Sequence, residues 1–452
     1  MIRILDGLNR FVWGLPALAL ILGIGLYLTL KGGFPQIRLF PKAITLFLRK
    51  SQPGEKRTGA VTPFQALCTA LAATVGTGNI AGVAGAIAIG GPGAIFWMWL
   101  CALFGMAIKF AEATLAVQFR AKNNAGELIG GPMYMIVHGL NKRWHWLAYA
   151  YCICGVIAAF GVGNCTQVNA VICSFNDLFR YFGSQESVFG NLLLGLLLAV
   201  VICAMLSGGA KKIGQVAEKL IPVVSVGYVL LCLIAMIRHS HAIPEAFASI
   251  ITGAFSPKAV TGGAIGSAFM ALRTGVSRGV FTNEAGMGTA AIAHACADVR
   301  HPVEQGLLGV LEVFIDTIVI CTMTALVILT SGVDIAYGVD EGINLTIRAF
   351  AATFGDGICI VIAAFMAIFA LATILGWGLY GGRCIQFLAG DSIWPIFVGV
   401  QGVAVILSSV MNTGTVWMIA ETINGMMSIP NLIAIFTLSN AFFALIREYR
   451  RK

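Results

Sequence analysis

Roughly eleven apolar runs, each on the order of 20 residues, follow one another along this 452-residue chain. Their approximate limits are 12–30, 65–89, 93–119, 146–172, 188–206, 214–237, 262–295, 303–331, 357–386, 393–411 and 415–446. Only 11% of the residues are charged and 58% are apolar, against about 25% charge in a soluble domain. Hydrocarbon offers no water to peptide groups, so each run must satisfy its own N–H and C=O groups as a helix. The sequence therefore predicts an all-α integral membrane protein with about 11 transmembrane helices.

The formal net charge of +9 would by itself suggest nucleic acid. Its distribution argues otherwise. With the loop after the first run placed in the cytoplasm, basic residues gather on that side. They include Lys31, Arg38, Lys42, Arg49, Lys50, Lys56 and Arg57 in the first loop, then Arg120, Lys122, Lys142 and Arg143, then Arg447, Arg450, Arg451 and Lys452 in the tail. Such an excess orients a membrane protein, here with the N-terminus outside and the C-terminus inside. The same residues attract anionic membrane lipid. With no aromatic-basic platform beside them, nucleic acid is not an expected partner. The first run is of spanning length and lacks a small-residue cleavage site, so it reads as a retained helix. Twelve cysteines are scattered without a CxxC pair, which is neither a zinc nor a disulfide framework.

Leaving out the first run, the remaining ten divide into two fives, 65–237 and 262–446. An odd number per half sets the halves in opposite orientation, an inverted-topology repeat. Residues 1–64 then hold the N-terminal helix and a cytoplasmic loop. Residues 238–261, with Pro244 and Pro257, form an external connection, and 447–452 a basic cytoplasmic tail. A second external loop, 332–356, carries Asp334, Asp340, Glu341 and Asp356.

Each five opens with a glycine-rich interruption. The first runs Ala73-Thr74-Val75-Gly76-Thr77-Gly78-Asn79-Ile80-Ala81-Gly82; the second runs from Arg273 to Gly286. Broken helices in corresponding positions of two halves point to a transporter's binding site. Glycine lets the backbone leave helical dihedrals and lets a ligand approach. Freed N–H groups suit a carboxylate, and freed carbonyls suit a cation. The bland alternative is close helix packing, since Gly78 and Gly82 have small-xxx-small spacing.

Other polar residues fall inside the runs. Arg273 and Arg278 must face a cavity or pair with acids, because a charge at a span centre costs about 2.5–3.5 kcal/mol; Glu284, Glu312, Asp316 and Glu421 are candidate partners. Asn164 and Gln167 share one face, for helix–helix bonding or ligand contact. Thr373 and Trp377 share another, where a hydroxyl can join carbonyls around a small cation and an indole can wall a pocket. Lys109 and Glu112 are spaced to pair. Lys219 either snorkels to the interface or titrates. There is no Walker A sequence, HExxH or nucleophile elbow, so no enzyme activity or cofactor is expected, and energy must come from an ion gradient unless transport is passive or a separate subunit drives it.

The motifs resemble the alanine/glycine:cation symporters, sodium:alanine cotransporters of the APC superfamily. The similarity runs through Asn9–Pro16 (NRFVWGLP), Phe64–Asn79 (FQALCTALAATVGTGN), Gly90–Trp99 (GGPGAIFWMW), Gly130–Tyr134 (GGPMY) and Gly279–Gly288 (GVFTNEAGMG). The resemblance implies a LeuT-type 5+5 inverted repeat with one extra N-terminal helix in a bacterial or archaeal plasma membrane. It implies Na⁺-coupled uptake of a small neutral amino acid, alanine or glycine. By that analogy the substrate carboxylate meets the backbone at Gly76, Thr77 and Gly78. The amino group lies near Asn79, Gln167 and the second break around Ala271, Thr274 and Gly275. Trp377 with Phe269 or Met270 walls the side-chain pocket. Sodium, the coupling ion, sits between carbonyls of Ala72 and Val75 and the hydroxyl of Thr373; Ile374 follows, where sodium sites of this fold often carry a second hydroxyl. The rivals are a proton-driven carrier, a sensor that binds without transport, and a membrane-embedded enzyme.

Overall fold

The computed structural model describes Gly7 and residues 15–49, 61–183, 185–263, 267–339, 342–411 and 414–451. Asn9, Lys50, Lys56, Arg57, Asp340, Glu341 and Lys452 lie outside the described residues, as does the side chain of Glu421. The helices are α1 (Leu15–Lys31), α2 (Phe40–Leu48), α3 (Pro63–Thr74), α4 (Val83–Gly90), α5 (Gly93–Gln118), α6 (Trp146–Phe160), α7 (Thr166–Tyr181), α8 (Val188–Leu206) and α9 (Gly209–Arg238). They continue with α10 (Ile243–Phe255), α11 (Ala268–Asn283), α12 (Thr289–Ala295), α13 (Pro302–Val313), α14 (Thr322–Thr330), α15 (Ile343–Phe354), α16 (Ile358–Ala389), α17 (Trp394–Ser408), α18 (Gly414–Thr437) and α19 (Ser439–Arg451). A two-stranded hairpin, β1 (Ala121–Lys122) and β2 (Leu128–Ile129), follows α5.

Among the described residues, seven helices are long and apolar enough to cross a membrane, or up to nine if each bent pair is one span. The expected eleven is not reached. The described part of the first run begins only at Leu15, and the α11–α12 pair is interrupted and carries Arg273, Arg278 and Glu284. The two segments read as external connections contain the helices α10 and α15.

The broken pairs occupy the centre. α3 starts cleanly because Pro63 needs no N–H partner there and Thr62 and Gln65 form a reciprocal capping box. It ends at Thr74, and α4 continues at an angle of 53° to it after a π-helical turn, Gly78–Gly82. α5 packs most extensively along α13 and α11, and α16 along α6 and α7. Two further π turns, Gly161–Cys165 and Phe314–Cys321, interrupt the α6–α7 and α13–α14 spans. Both lie beside the breaks, and such bulges are frequent at functional sites. Val61, just before α3, bridges in parallel to Ala297, just after α12, and the Asp298 N–H donates to the Val61 carbonyl at 3.0 Å.

Candidate transport site

At the first break the Gly76 N–H donates to Asn79 Oδ1 at 2.8 Å. In an unbroken helix that N–H would go to the Ala72 carbonyl. The Val75 N–H still reaches Leu71, but ψ of 101° at Val75 swings its own carbonyl out of the helix. Among the described residues neither the Ala72 nor the Val75 carbonyl has a hydrogen-bond donor, and the Thr77 N–H has no acceptor. Asn79 is fully used: its Nδ2 donates to Asp316 Oδ1 at 2.8 Å and to the Asp316 carbonyl at 3.1 Å. The resemblance placed Asn79 beside a substrate amino group; the geometry makes it the bracket that keeps the break open.

The bracket continues to the second break. Thr317 Oγ1 donates to Asp316 Oδ2 at 2.8 Å, and Asn283 Nδ2 donates to Thr317 Oγ1 at 3.1 Å. Asn283 ends α11, so a chain of four buried side chains joins the two broken spans through the π turn at 314–321.

Gln167 and Thr373 reach the first break from α7 and α16. Gln167 Nε2 donates to the Val162 carbonyl at 3.2 Å, fixing the amide so that its Oε1 accepts the Thr77 hydroxyl at 3.2 Å. Thr373 stands against Gly76 so closely that a Cβ there would lie 2.6 Å from its Oγ1. Buried threonines at 29, 74, 166, 324 and 330 donate to the carbonyl four residues back. Thr373 Oγ1, buried in the same way, has no partner. Around the first break, two carbonyls and a hydroxyl are thus left without donors among the described residues, the kind of oxygen set a hard cation takes.

Trp377, one turn along α16, is fully buried. Its Nε1–H donates to Glu284 Oε1 at 2.8 Å. Its Cβ would lie 2.2 Å from a Cβ at position 163, so only glycine fits there. Asn164 turns away from Gln167 and donates to the Gln401 carbonyl, the helix–helix alternative.

The second break lies at the C-terminal end of the expected Arg273–Gly286 segment and runs just past it. α11 is regular through residues 271–279, and the chain breaks between Asn283 and Thr289, where Glu284 (φ 53°), Gly286 and Gly288 take left-handed dihedrals. Gly275 and Gly279 serve close packing instead: a Cβ at 275 would lie 2.2 Å from the Ala94 carbonyl oxygen of α5. Ala271 is buried and Thr274 packs on Gly90, both away from the break. Phe269 and Met270, in the first turn of α11, are 51% and 44% exposed. None of these five residues joins the cluster; Phe281 does, from the last turn of the same helix. With Thr77, Gly78, Ala81, Gly82, Arg278 and Gly342 it lines a cavity of about 120 Å³ beside the first break.

The buried acids are allocated differently from their sequence spacing. Lys109 pairs with Glu312 at 3.2 Å, not with Glu112, and His294 holds the other Glu312 oxygen at 2.8 Å. Glu112 Oε1 accepts the N–H groups of Gly286 and Gly288 and the amide of Asn431, fastening the second break. Lys219 is exposed, which agrees with snorkelling. On the basic side, Arg383 of α16 reaches Glu127 of the hairpin loop at 3.0 Å. Spacing had suggested neither that pair nor the roles of Asp316 and Glu112, because they depend on π turns and loop placement.

The family model described as the sodium:alanine symporter family matches residues 1–452. The chain belongs to that family. The sodium/alanine symporter AgcS of Methanococcus maripaludis is 41% identical, over 97% of this chain and 95% of its own. An uncharacterized transporter of Haemophilus influenzae is 41% identical over 99% and 95%. The probable sodium/glutamine symporter GlnT of Bacillus subtilis is 38% identical over 98% and 90%. Among solved structures, MhsT in complex with L-phenylalanine superposes with a TM-score of 0.59 at 17% identity, covering 82% of this chain and 89% of that one. The fold of this sodium:alanine symporter family member is LeuT-type, and its membership points to amino-acid symport by a multi-pass membrane protein.

Proposed function

We propose that the protein is a sodium-coupled importer of a small neutral amino acid, alanine or glycine, working by alternating access and without covalent chemistry. The observation that carries the reading is the unpaired trio of the Ala72 and Val75 carbonyls and Thr373 Oγ1. Buried polar atoms cost free energy unless satisfied, and a sodium ion between them satisfies all three. The substrate carboxylate lies at the Thr77 N–H and the adjoining start of the π turn, next to that ion. Gln167 Oε1, which accepts one hydrogen bond and has a second lone pair, receives the ammonium group. Phe281 and Trp377 flank this position. Gly76 takes no part through its N–H, which Asn79 holds.

The cavity beside Thr77 opens toward Gly342, in the loop that charge places outside, while the Glu127–Arg383 pair closes the cytoplasmic end of α16. Filling both sites favours closure of the outer cavity, and the inward sodium gradient draws the cycle forward. The protein works in the plasma membrane with its N-terminus outside.

A second reading, proton drive, is favoured by Asp316, a buried carboxyl whose donors among the described residues are the Asn79 amide and the Thr317 hydroxyl. Uptake of labelled alanine into proteoliposomes under an inward sodium or an inward proton gradient separates the two. Accumulation with sodium alone supports the trio as the coupling site. Accumulation with protons alone overturns it in favour of Asp316. Saturable binding without accumulation under either gradient leaves a sensor.

A further inference from the structure

On the basic side of the membrane, away from the transport site, α2 divides its residues between two faces. Lys42 on one face, and Arg49 just past the C-terminal end of the helix, line a cavity of about 390 Å³ together with Arg300, His301, Glu304 and Tyr449. Ile44 and Leu48 share another and are 41% and 70% exposed. A short helix with an exposed apolar stripe and a basic face lies in the plane of the interface, its apolar side at the acyl boundary.

Among the described residues, the cavity lining includes the cations Lys42, Arg49 and Arg300 and the carboxylate Glu304, and Glu448 lies 3.9 Å from His301. Its floor is aromatic. The Lys42 ammonium stands 4.0 Å over the Tyr449 ring, and the His301 ring lies 5.0 Å from it. Tyr449 comes from α19, whose apolar residues Phe442, Phe443 and Ile446 are buried against the bundle, so the cavity joins the first cytoplasmic loop, the segment after α12 and the C-terminal helix.

We propose that this cavity binds the phosphate of an anionic two-chain phospholipid in the cytoplasmic leaflet, with Ile44 and Leu48 against its acyl chains. The basic residues recognise the phosphate; the exposed apolar stripe beside them selects a lipid over a free phosphate ester. The site is separate from the transport reading and stands or falls without it.

The test is native mass spectrometry of the full-length protein released from nanodiscs of equal phosphatidylglycerol and phosphatidylcholine with the same acyl chains. The wild type should retain phosphatidylglycerol preferentially. Lys42→Gln with Arg49→Gln should lower that retention roughly 30-fold, each basic residue near an anionic surface being worth about fivefold. Ile44→Ser with Leu48→Ser should also lower it, and millimolar glycerol phosphate should not displace the lipid. Arg300→Gln provides the same reading should the double variant fold poorly. Unchanged retention in the basic variants overturns the site. Displacement by glycerol phosphate, with no effect of the serine variant, overturns the lipid and makes it a soluble-phosphate site.

Discussion

Asn79 donates to the Asp316 carboxylate at 2.8 Å across 237 positions of sequence, and the same amide accepts the N–H of Gly76. One side chain therefore holds the first helix open and ties it to the span that contacts the second break.

Asn79→Ala should return the Gly76 N–H to the Ala72 carbonyl and remove one oxygen from the cation set. Hydrogen bonds to charged groups contribute about 1.5–3 kcal/mol, so uptake should fall at least tenfold in protein that still inserts and purifies. Near-normal uptake would mean the break holds without its bracket.

Thr373→Ala removes the unpaired hydroxyl and leaves its helix intact. The sodium concentration for half-maximal uptake should rise about tenfold, a loss comparable to one hydrogen bond to a charge, while Thr373→Ser should restore it. Equal sodium dependence in all three proteins would exclude the hydroxyl from the coupling site.

Gly163→Ala should be poorly tolerated, since the new methyl meets Trp377 Cβ at 2.2 Å. Overpacking of this kind costs about 1–3 kcal/mol, read as a lower melting temperature in detergent. Trp377→Phe keeps the ring but strips Glu284 of a donor. It should reduce uptake more than stability, and Trp377→Ala should admit larger neutral amino acids. Unchanged selectivity in the alanine variant would move the pocket wall elsewhere.

Glu127→Gln should ease opening of the Arg383 end of α16, which the charge distribution assigns to the cytoplasm. The pair is half exposed on the Glu127 side, and exposed pairs are worth at most about 1 kcal/mol. Labelling of buried Cys384, one residue beyond Arg383, by a cytoplasmic thiol reagent should therefore rise up to roughly fivefold. No change in peptide-resolved labelling would show that closure rests on packing alone.

Lys109→Met leaves Glu312 with His294 as its remaining partner in a dry interior. Breaking a buried pair costs about 3–5 kcal/mol, so this variant should fail to accumulate, whereas Lys109→Met with Glu312→Gln should recover much of the loss.

Much of this architecture was legible in the sequence because membrane helices announce themselves by length and apolarity, and because the first break concentrates Gly76, Gly78 and Asn79 where lipid tolerates no loose backbone. Gln167 and Thr373 reach it from α7 and α16, while Trp377, one turn beyond Thr373, bonds Glu284 at the second break. Within the expected second segment, glycine alone does not say that Gly275 and Gly279 serve packing on α5 while Gly286, with Gly288 beyond it, serves the bend. Spacing paired Lys109 with Glu112, the residue one turn away, but two π turns and the loop at 284–288 send them to different partners.

The bridge between Val61 and Ala297 joins one end of each broken span. Two levers tied at their tips have one swing between them. On the proposed reading, whatever tilts the half-helix beneath the cation oxygens also carries the half-helix beneath Glu284, so ion and amino acid would leave by a shared stroke, and slippage of one without the other would require tearing a backbone seam.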